Sequence, residues 1–136
     1  MIRRSFLASL AAVAFMPFAA LAETVEYKDG VIATALAEGK TVFVDYAASW
    51  CTTCKIQEDK ITALRDANPA YDENIVFVRV DWDKYGRKPV ATDRNIPRRS
   101  TLLVLKGDQE LGRIVAGTRD SEIKELLDTA LNAATS

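Results

Sequence analysis

An almost unbroken apolar run, Thr41-Val42-Phe43-Val44-Asp45-Tyr46-Ala47, leads through a few small residues into Trp50-Cys51-Thr52-Thr53-Cys54-Lys55. Such a run fits a central strand buried on both faces. The pattern that follows, from Thr52 to Ala67, is helical, so the cysteine pair falls at a strand-to-helix junction. Cys51 and Cys54 are the only cysteines in the 136 residues, and there is no histidine. A Cys-x-x-Cys so placed can close and open a small disulfide ring, which makes it a redox-centre candidate. A purely structural bridge explains it poorly, because the stabilisation from a disulfide grows with the length of loop it closes. Zinc or an iron–sulfur cluster needs more ligands than one such chain offers. Cu(I) carriage on the two thiolates is the rival metal reading, since soft sulfur suits Cu(I).

The N-terminus carries the pattern of a secretory signal. Arg3 and Arg4 make a basic start, no charge follows from Ser5 to Ala22, and Ala20-Leu21-Ala22 supplies the small residues that a signal peptidase reads. Cleavage is expected before Glu23, dividing the chain into a signal peptide, residues 1–22, and a domain, residues 23–136. Pro17 and the small-residue end argue against an uncleaved membrane anchor. Arg3-Arg4-Ser5-Phe6-Leu7 is also compatible with twin-arginine export, so the route stays open. Both methionines, Met1 and Met16, would leave with the signal, which weakens the copper reading. Cleavage removes two of 18 basic residues and none of 19 acidic ones, moving the net charge from −1 to −3. A mildly acidic chain of this size suits one core and no polyanion partner, so nucleic acid is not expected.

The remaining elements follow from periodicity and punctuation. Residues 24–27 suit a short edge strand, and residues 30–38 a helix with Val31, Ile32, Ala35 and Leu36 at helical spacing before Gly39. In the helix after Cys51, the side bearing Ile56, Lys60, Ala63, Leu64 and Ala67 is the expected packing face, and Asn68-Pro69 ends it. Residues 75–80 form the second strong strand, and residues 89–95 a short helix with Pro89 in its first turn. Residues 101–106 and 110–116 read as a hairpin closed at Gly107-Asp108. Asp120 is positioned to cap a last helix striped with Ile123, Leu126, Leu127, Ala130 and Leu131. The order β-α-β-α-β-α-β-β-α predicts an α/β fold: a central mixed sheet flanked by helices on both faces.

That order and these residues resemble the thioredoxin superfamily across essentially all of residues 23–136. The resemblance rests on Val42-Phe43-Val44-Asp45-Tyr46-Ala47-Ala48-Ser49-Trp50-Cys51, on Cys54-Lys55, on Val78-Arg79-Val80-Asp81, on Thr101 through Gly107, and on Val115-Ala116-Gly117. Together with the leader, the segment from Asp45 to Cys51 is similar to exported thioredoxin-like domains such as the C-terminal domain of the membrane electron transporter DsbD. One departure stands out. The family runs Ile-Pro-Thr straight into its strand, with a cis proline opposite the cysteines, whereas here Ile96-Pro97 is followed by Arg98-Arg99-Ser100 before Thr101. Either Pro97 is that proline with three residues inserted, or Thr101 keeps its register and Ser100 takes the position. The spacing to Gly107 and Gly117 favours the second, and a serine there is expected to be trans, because a cis bond before a non-proline residue is costly.

The chemistry expected of the pair is thiol–disulfide exchange. Cys51, at a helix N-terminus, is the nucleophile, its thiolate favoured by the helix dipole and unpaired N–H groups. Cys54, one turn on, resolves the mixed disulfide. Asp45 lies in an apolar strand, so its pKa should rise toward neutrality, fitting it to take the Cys54 proton through a water. Trp50 offers a flat docking surface, and Thr52 and Thr53 lie between the cysteines, where the family tunes its potential. Pro97, Arg99, Ser100 and Thr101 complete the expected substrate-facing set. Trp82 reads as edge packing, with Asp81 and Asp83 as turn residues rather than a metal site. The expected activity is that of an exported, periplasmic thiol–disulfide oxidoreductase, a reductase of protein disulfides needing no cofactor. An oxidising compartment then demands a membrane thiol electron donor of the DsbD or CcdA kind. A dithiol oxidase or isomerase is the alternative within the class, and a binding module with incidental cysteines lies outside it. No dimerisation element is visible, so a monomer is expected.

Overall fold

The computed structural model describes residues 23–136; the expected signal peptide, and with it the choice of export route, lies outside the described residues. Five strands form one sheet: β1 (Val25–Glu26), β2 (Thr41–Ala47), β3 (Ile75–Asp81), β4 (Thr101–Lys106) and β5 (Gln109–Val115). Their spatial order is β1-β3-β2-β4-β5. The first three are parallel, joined through crossover helices, and β4 and β5 run antiparallel as the hairpin patterning predicts. β2 lies at the centre and is buried along its whole length, which is why its sequence shows no alternation.

Successive strand residues point to opposite faces, and each face has its own core. Val42, Val44, Tyr46, Val78, Val80, Leu103 and Leu105 pack on one side with Ile32 and Ala35 of α1 (Val31–Ala37). Phe43, Ile75, Phe77, Leu102 and Val104 pack on the other with Ile61 of α2 (Thr52–Ala67), Tyr71 of α3 (Pro69–Asn74), and Ile123, Leu126, Leu127 and Ala130 of α6 (Asp120–Thr135). The mixed sheet with helices on both faces is therefore the architecture expected from the element order. Gly112 of β5 admits α6 closely: a Cβ there would come within 2.7 Å of Leu126 Cδ1.

Several elements differ from the sequence expectation. Asn68-Pro69 ends α2 but also starts α3, with the Asn68 side chain accepting from the Ala70 N–H and Pro69 in the first turn. A further short helix, α4 (Trp82–Tyr85), follows β3 directly, capped by Asp81, and α5 (Pro89–Thr92) ends three residues earlier than expected. Pieces this short hold too few turns to show a helical period. Asp120 is the first residue of α6 rather than its cap, which is Arg119.

The packing face of α2 is a clear correction. Ile56 is exposed, and the buried side runs through Cys54, Gln57 and Ile61, with Leu64 packed beside them. A polar residue, Gln57, holds the middle of that stripe, so apolar periodicity alone finds Leu64 but misplaces the rest of the face, with Ile56, Ala63 and Ala67 exposed.

Candidate active site

Cys51 sits where the chain leaves the sheet and turns into α2. It is the N-cap residue, with extended backbone (φ −89°, ψ 110°), and its sulfur accepts a hydrogen bond from the Cys54 N–H at 3.2 Å. The sulfur thus takes the place that a serine or aspartate oxygen takes at other helix starts, facing N–H groups that favour negative charge. Cys51 and Cys54 are joined as a disulfide, with Cα atoms 5.3 Å apart. Ala47, Ala48 and Trp82 pack around them, and both cysteines are buried.

The loop before β4 closes the site from the other side. Ser100 is fully buried, and its Oγ lies 3.2 Å from Cys51 Sγ and 3.1 Å from Cys54 Sγ. Its N–H donates to the Tyr46 carbonyl at 2.7 Å, tying the loop to the end of β2. Its φ of 63° lies in the left-handed region, a conformation that costs a non-glycine residue free energy and persists only where its surroundings fix it. Here they do. The Ser100 carbonyl accepts from Ala116 N–H at 2.8 Å and from Gln57 Nε2 at 3.0 Å. The same Gln57 amide donates to the Gly117 carbonyl at 2.9 Å. Gln57 therefore stitches α2 to both loops that face the disulfide, a role invisible in the sequence because its partners lie 43 and 60 residues away.

Of the two candidates for the position opposite the cysteines, Ser100 is the one whose side chain reaches them; Pro97 is solvent-exposed in the loop. Every described peptide bond is trans. Thr101 pairs with Tyr46 across the sheet, and its hydroxyl donates to the Arg98 carbonyl at 2.8 Å. Its side chain thus braces the turn. Thr52 is exposed and Thr53 half-buried in the first turn of α2.

Trp50 is 58 % exposed, yet it is held at two points. Its indole N–H donates to the Asp83 carboxylate, with both oxygens at 3.0 Å, and the Arg99 guanidinium carbon lies 4.4 Å from the ring centroid. Asp83 is in turn placed by α4, where its own N–H donates to Asp81 Oδ1 at 3.0 Å. Asp81 is thus a cap, but Asp83 does more than turn the chain, and Trp82 does more than pad an edge. Trp82 lies against the cysteine cluster and meets Tyr46 edge-on at 6.4 Å. The sequence carried one signal for this, the Asp-Trp-Asp triplet after a strong strand.

Asp45 lies on the α2 side of β2, the face that Phe43 also occupies, beside a cavity of about 240 Å³. Glu26, Lys55, Glu58 and Arg79 line that cavity with it. Asp45 is 8 % exposed, and its Oδ1 has no hydrogen-bond partner. Burial pushes its carboxyl up to about 7; the Glu58 charge adds to the rise and Arg79 opposes it. Arg79 is itself shared between Glu58 at 3.3 Å and Glu26 at 3.7 Å, so its charge is largely answered before it reaches Asp45. A carboxyl poised near neutrality can both accept and return a proton at working pH. Among the described residues, no group of three or more His, Cys, Asp or Glu side chains could hold a metal ion.

Comparison with known proteins adds a second line of observation. The family model described as Thioredoxin matches residues 22–129. The thioredoxin of Echinococcus granulosus is 32 % identical over 104 residues, covering 76 % of this chain and 91 % of that one. Thioredoxin-1 of Saccharomyces cerevisiae is 31 % identical over 94 residues, covering 69 % and 84 %. Among solved structures, Trxlp from Edwardsiella tarda superposes with a TM-score of 0.67 at 32 % identity, covering 76 % of this chain and 98 % of that one.

Proposed function

The chain belongs to the thioredoxin family and is a thiol–disulfide oxidoreductase; from that premise we propose that it works as an exported reductase of protein disulfides. The observation that carries this reading is the Cys51–Cys54 pair at the start of α2, with Cys51 as the cap. In the dithiol form, the Cys51 thiolate attacks one sulfur of a substrate disulfide. A mixed disulfide forms and the first substrate thiolate leaves. Asp45 takes the proton of Cys54 through a water, and Cys54 attacks the Cys51 sulfur. The second substrate thiolate departs, takes up a proton, and the Cys51–Cys54 disulfide is left behind. Two electrons have passed from the protein to the substrate.

Trp50 offers the docking surface, while Thr52, Thr53, Pro97 and Arg99 border the approach, Ser100 meets the sulfurs from within, and Thr101 braces the loop that carries it. Export rests on Arg3, Arg4 and the uncharged stretch from Ser5 to Ala22. In an oxidising compartment the dithiol must be regenerated, which assigns a DsbD- or CcdA-like membrane thiol donor as partner. The protein acts as a monomer.

The test is the reduction potential of the pair, measured by equilibration with thiol buffers. A value near roughly −270 mV supports a reductase, and one toward roughly −120 mV would make the protein a dithiol oxidase. N-terminal sequencing of the exported protein should start at Glu23; retention of Met1 would overturn export by cleavage.

A further inference from the structure

Arg99 stands directly before Ser100, whose hydroxyl touches both sulfurs, and Trp50 stands directly before Cys51. The guanidinium of Arg99 rests on the Trp50 ring at 4.4 Å, so the two side chains meet beside the entrance to the reactive sulfur. Neither Arg98 nor Arg99 has an ion-pair partner among the described residues. Arg98 spends its Nε on the Arg99 carbonyl at 3.0 Å, whereas the Nε of Arg99 is buried without an acceptor, so an incoming group would meet the terminal nitrogens of its guanidinium. Asp83, the carboxylate at the Trp50 edge, accepts from the indole N–H and makes no ion pair with Arg99. The site therefore presents a cation that is held in place without an ion-pair partner, on a chain that is otherwise net acidic.

We propose that Arg99 selects substrates whose disulfide cysteine is flanked by a carboxylate, an acidic polypeptide segment laid over Trp50. This deepens, and rests on, the reductase reading above. A guanidinium presents its donors as a planar fork that matches a carboxylate. Stacking on the indole fixes that fork before the substrate arrives, so less ordering remains to be done on binding. The exposed Trp50 ring extends beyond what a single small anion would cover and suits an extended chain. Asp83 completes the arrangement by holding the ring from its edge.

Two disulfide peptides that differ only in Glu or Gln beside the cysteine test the proposal on the full chain. The ratio of their kcat/KM values should favour Glu by about three- to tenfold at low salt and shrink as ionic strength rises. Arg99→Gln should bring that ratio close to one, and Arg99→Lys, which keeps the charge but not the fork, should retain part of it. A ratio near one in the unaltered protein, or one that survives Arg99→Gln, overturns the proposal. So does an Arg99-dependent preference for glutathione disulfide with none for the acidic peptide. If neither peptide is reduced, the reductase reading fails on its own. The selectivity is then decided by calorimetric titration of the same peptides with serine for cysteine: tighter binding of the Glu peptide that Arg99→Gln removes supports it, and equal binding overturns it.

Discussion

The disulfide lies between two dissimilar neighbourhoods. Behind it, Asp45 and Gln57 are buried, and the Asp45 carboxyl has an oxygen with no partner. Beside it, on the solvent side, Trp50 is largely exposed, but its N–H is held by Asp83 and one face of its ring by Arg99. The buried side keeps a polar group short of partners, and burial then sets its protonation. The exposed side spends its partners on fixing the position of an aromatic surface. In a low-dielectric setting one unanswered carboxylate costs several kcal/mol, so it can tune chemistry; at the surface the same charge would be screened, and its use is recognition.

If the chemistry resides at the pair itself, Cys51→Ser abolishes disulfide reduction, and Cys54→Ser accumulates a covalent substrate complex visible on a non-reducing gel. Residual turnover by the first variant would break the comparison at its centre. Asp45→Asn tests the buried side next. Resolution should slow by roughly 10²-fold, the usual worth of a positioned proton acceptor.

The same variant has a stability signature. The Asp45 carboxyl is raised in the folded state to about 7 from an ordinary value of 3.8. Between those values the folded state binds the extra proton, so native stability falls as pH rises, and the loss is complete above the folded value. Asp45→Asn should therefore be more stable than the native protein by about 2–4 kcal/mol at pH 8, with the difference vanishing near pH 4. Denaturant titrations at the two pH values measure it, and equal stability at both would show Asp45 to be solvated.

Gln57→Leu sharpens the structural half of that side. It keeps the volume but removes the amide from the Ser100 and Gly117 carbonyls, and should cost about 1–3 kcal/mol by urea unfolding. Ser100→Ala should act on the potential. Its hydroxyl, facing both sulfurs, can donate to the thiolate of the reduced form, so its loss should make the potential more negative by roughly 20–60 mV. A shift in the opposite direction would mean that the hydroxyl favours the disulfide instead.

The smallest effect belongs to the exposed side. Asp83→Ala frees the Trp50 indole N–H and should change stability by less than about 1 kcal/mol, as exposed polar contacts do. It should nevertheless raise KM for peptide disulfides a few-fold, measured by steady-state kinetics. An effect on kcat as large as that of Asp45→Asn would erase the distinction between the two sides.

The difference between the neighbourhoods also explains what was legible beforehand. β2, β3, the β4–β5 hairpin, α2 and α6 each carry a periodic or continuous apolar signal long enough to read, and the mixed sheet follows from their order. The cap at Cys51 and the burial of Asp45 are local consequences of a strand running into a helix. By contrast, α3 and α4 are six and four residues long, too short to show a period. Gln57 was hidden because a glutamine in a buried stripe makes sense only once the carbonyls it bonds are known. Asp83 read as a turn residue because its partner, Trp50, lies 33 positions away.

The sequence by itself determined the architecture, the reactive pair, and the burial of a carboxyl in the central strand. These rest on short-range patterns: apolar runs, helix punctuation, and the fact that only two cysteines exist. The spacing to Gly107 and Gly117 already favours Ser100 over Pro97, but only the tertiary structure decided that its hydroxyl meets both sulfurs, which side of α2 is buried, and what holds Trp50. Those are contacts between segments 33 to 60 residues apart. At such separations a side chain's partners are set by where the sheet brings the chain back, which local patterns do not encode.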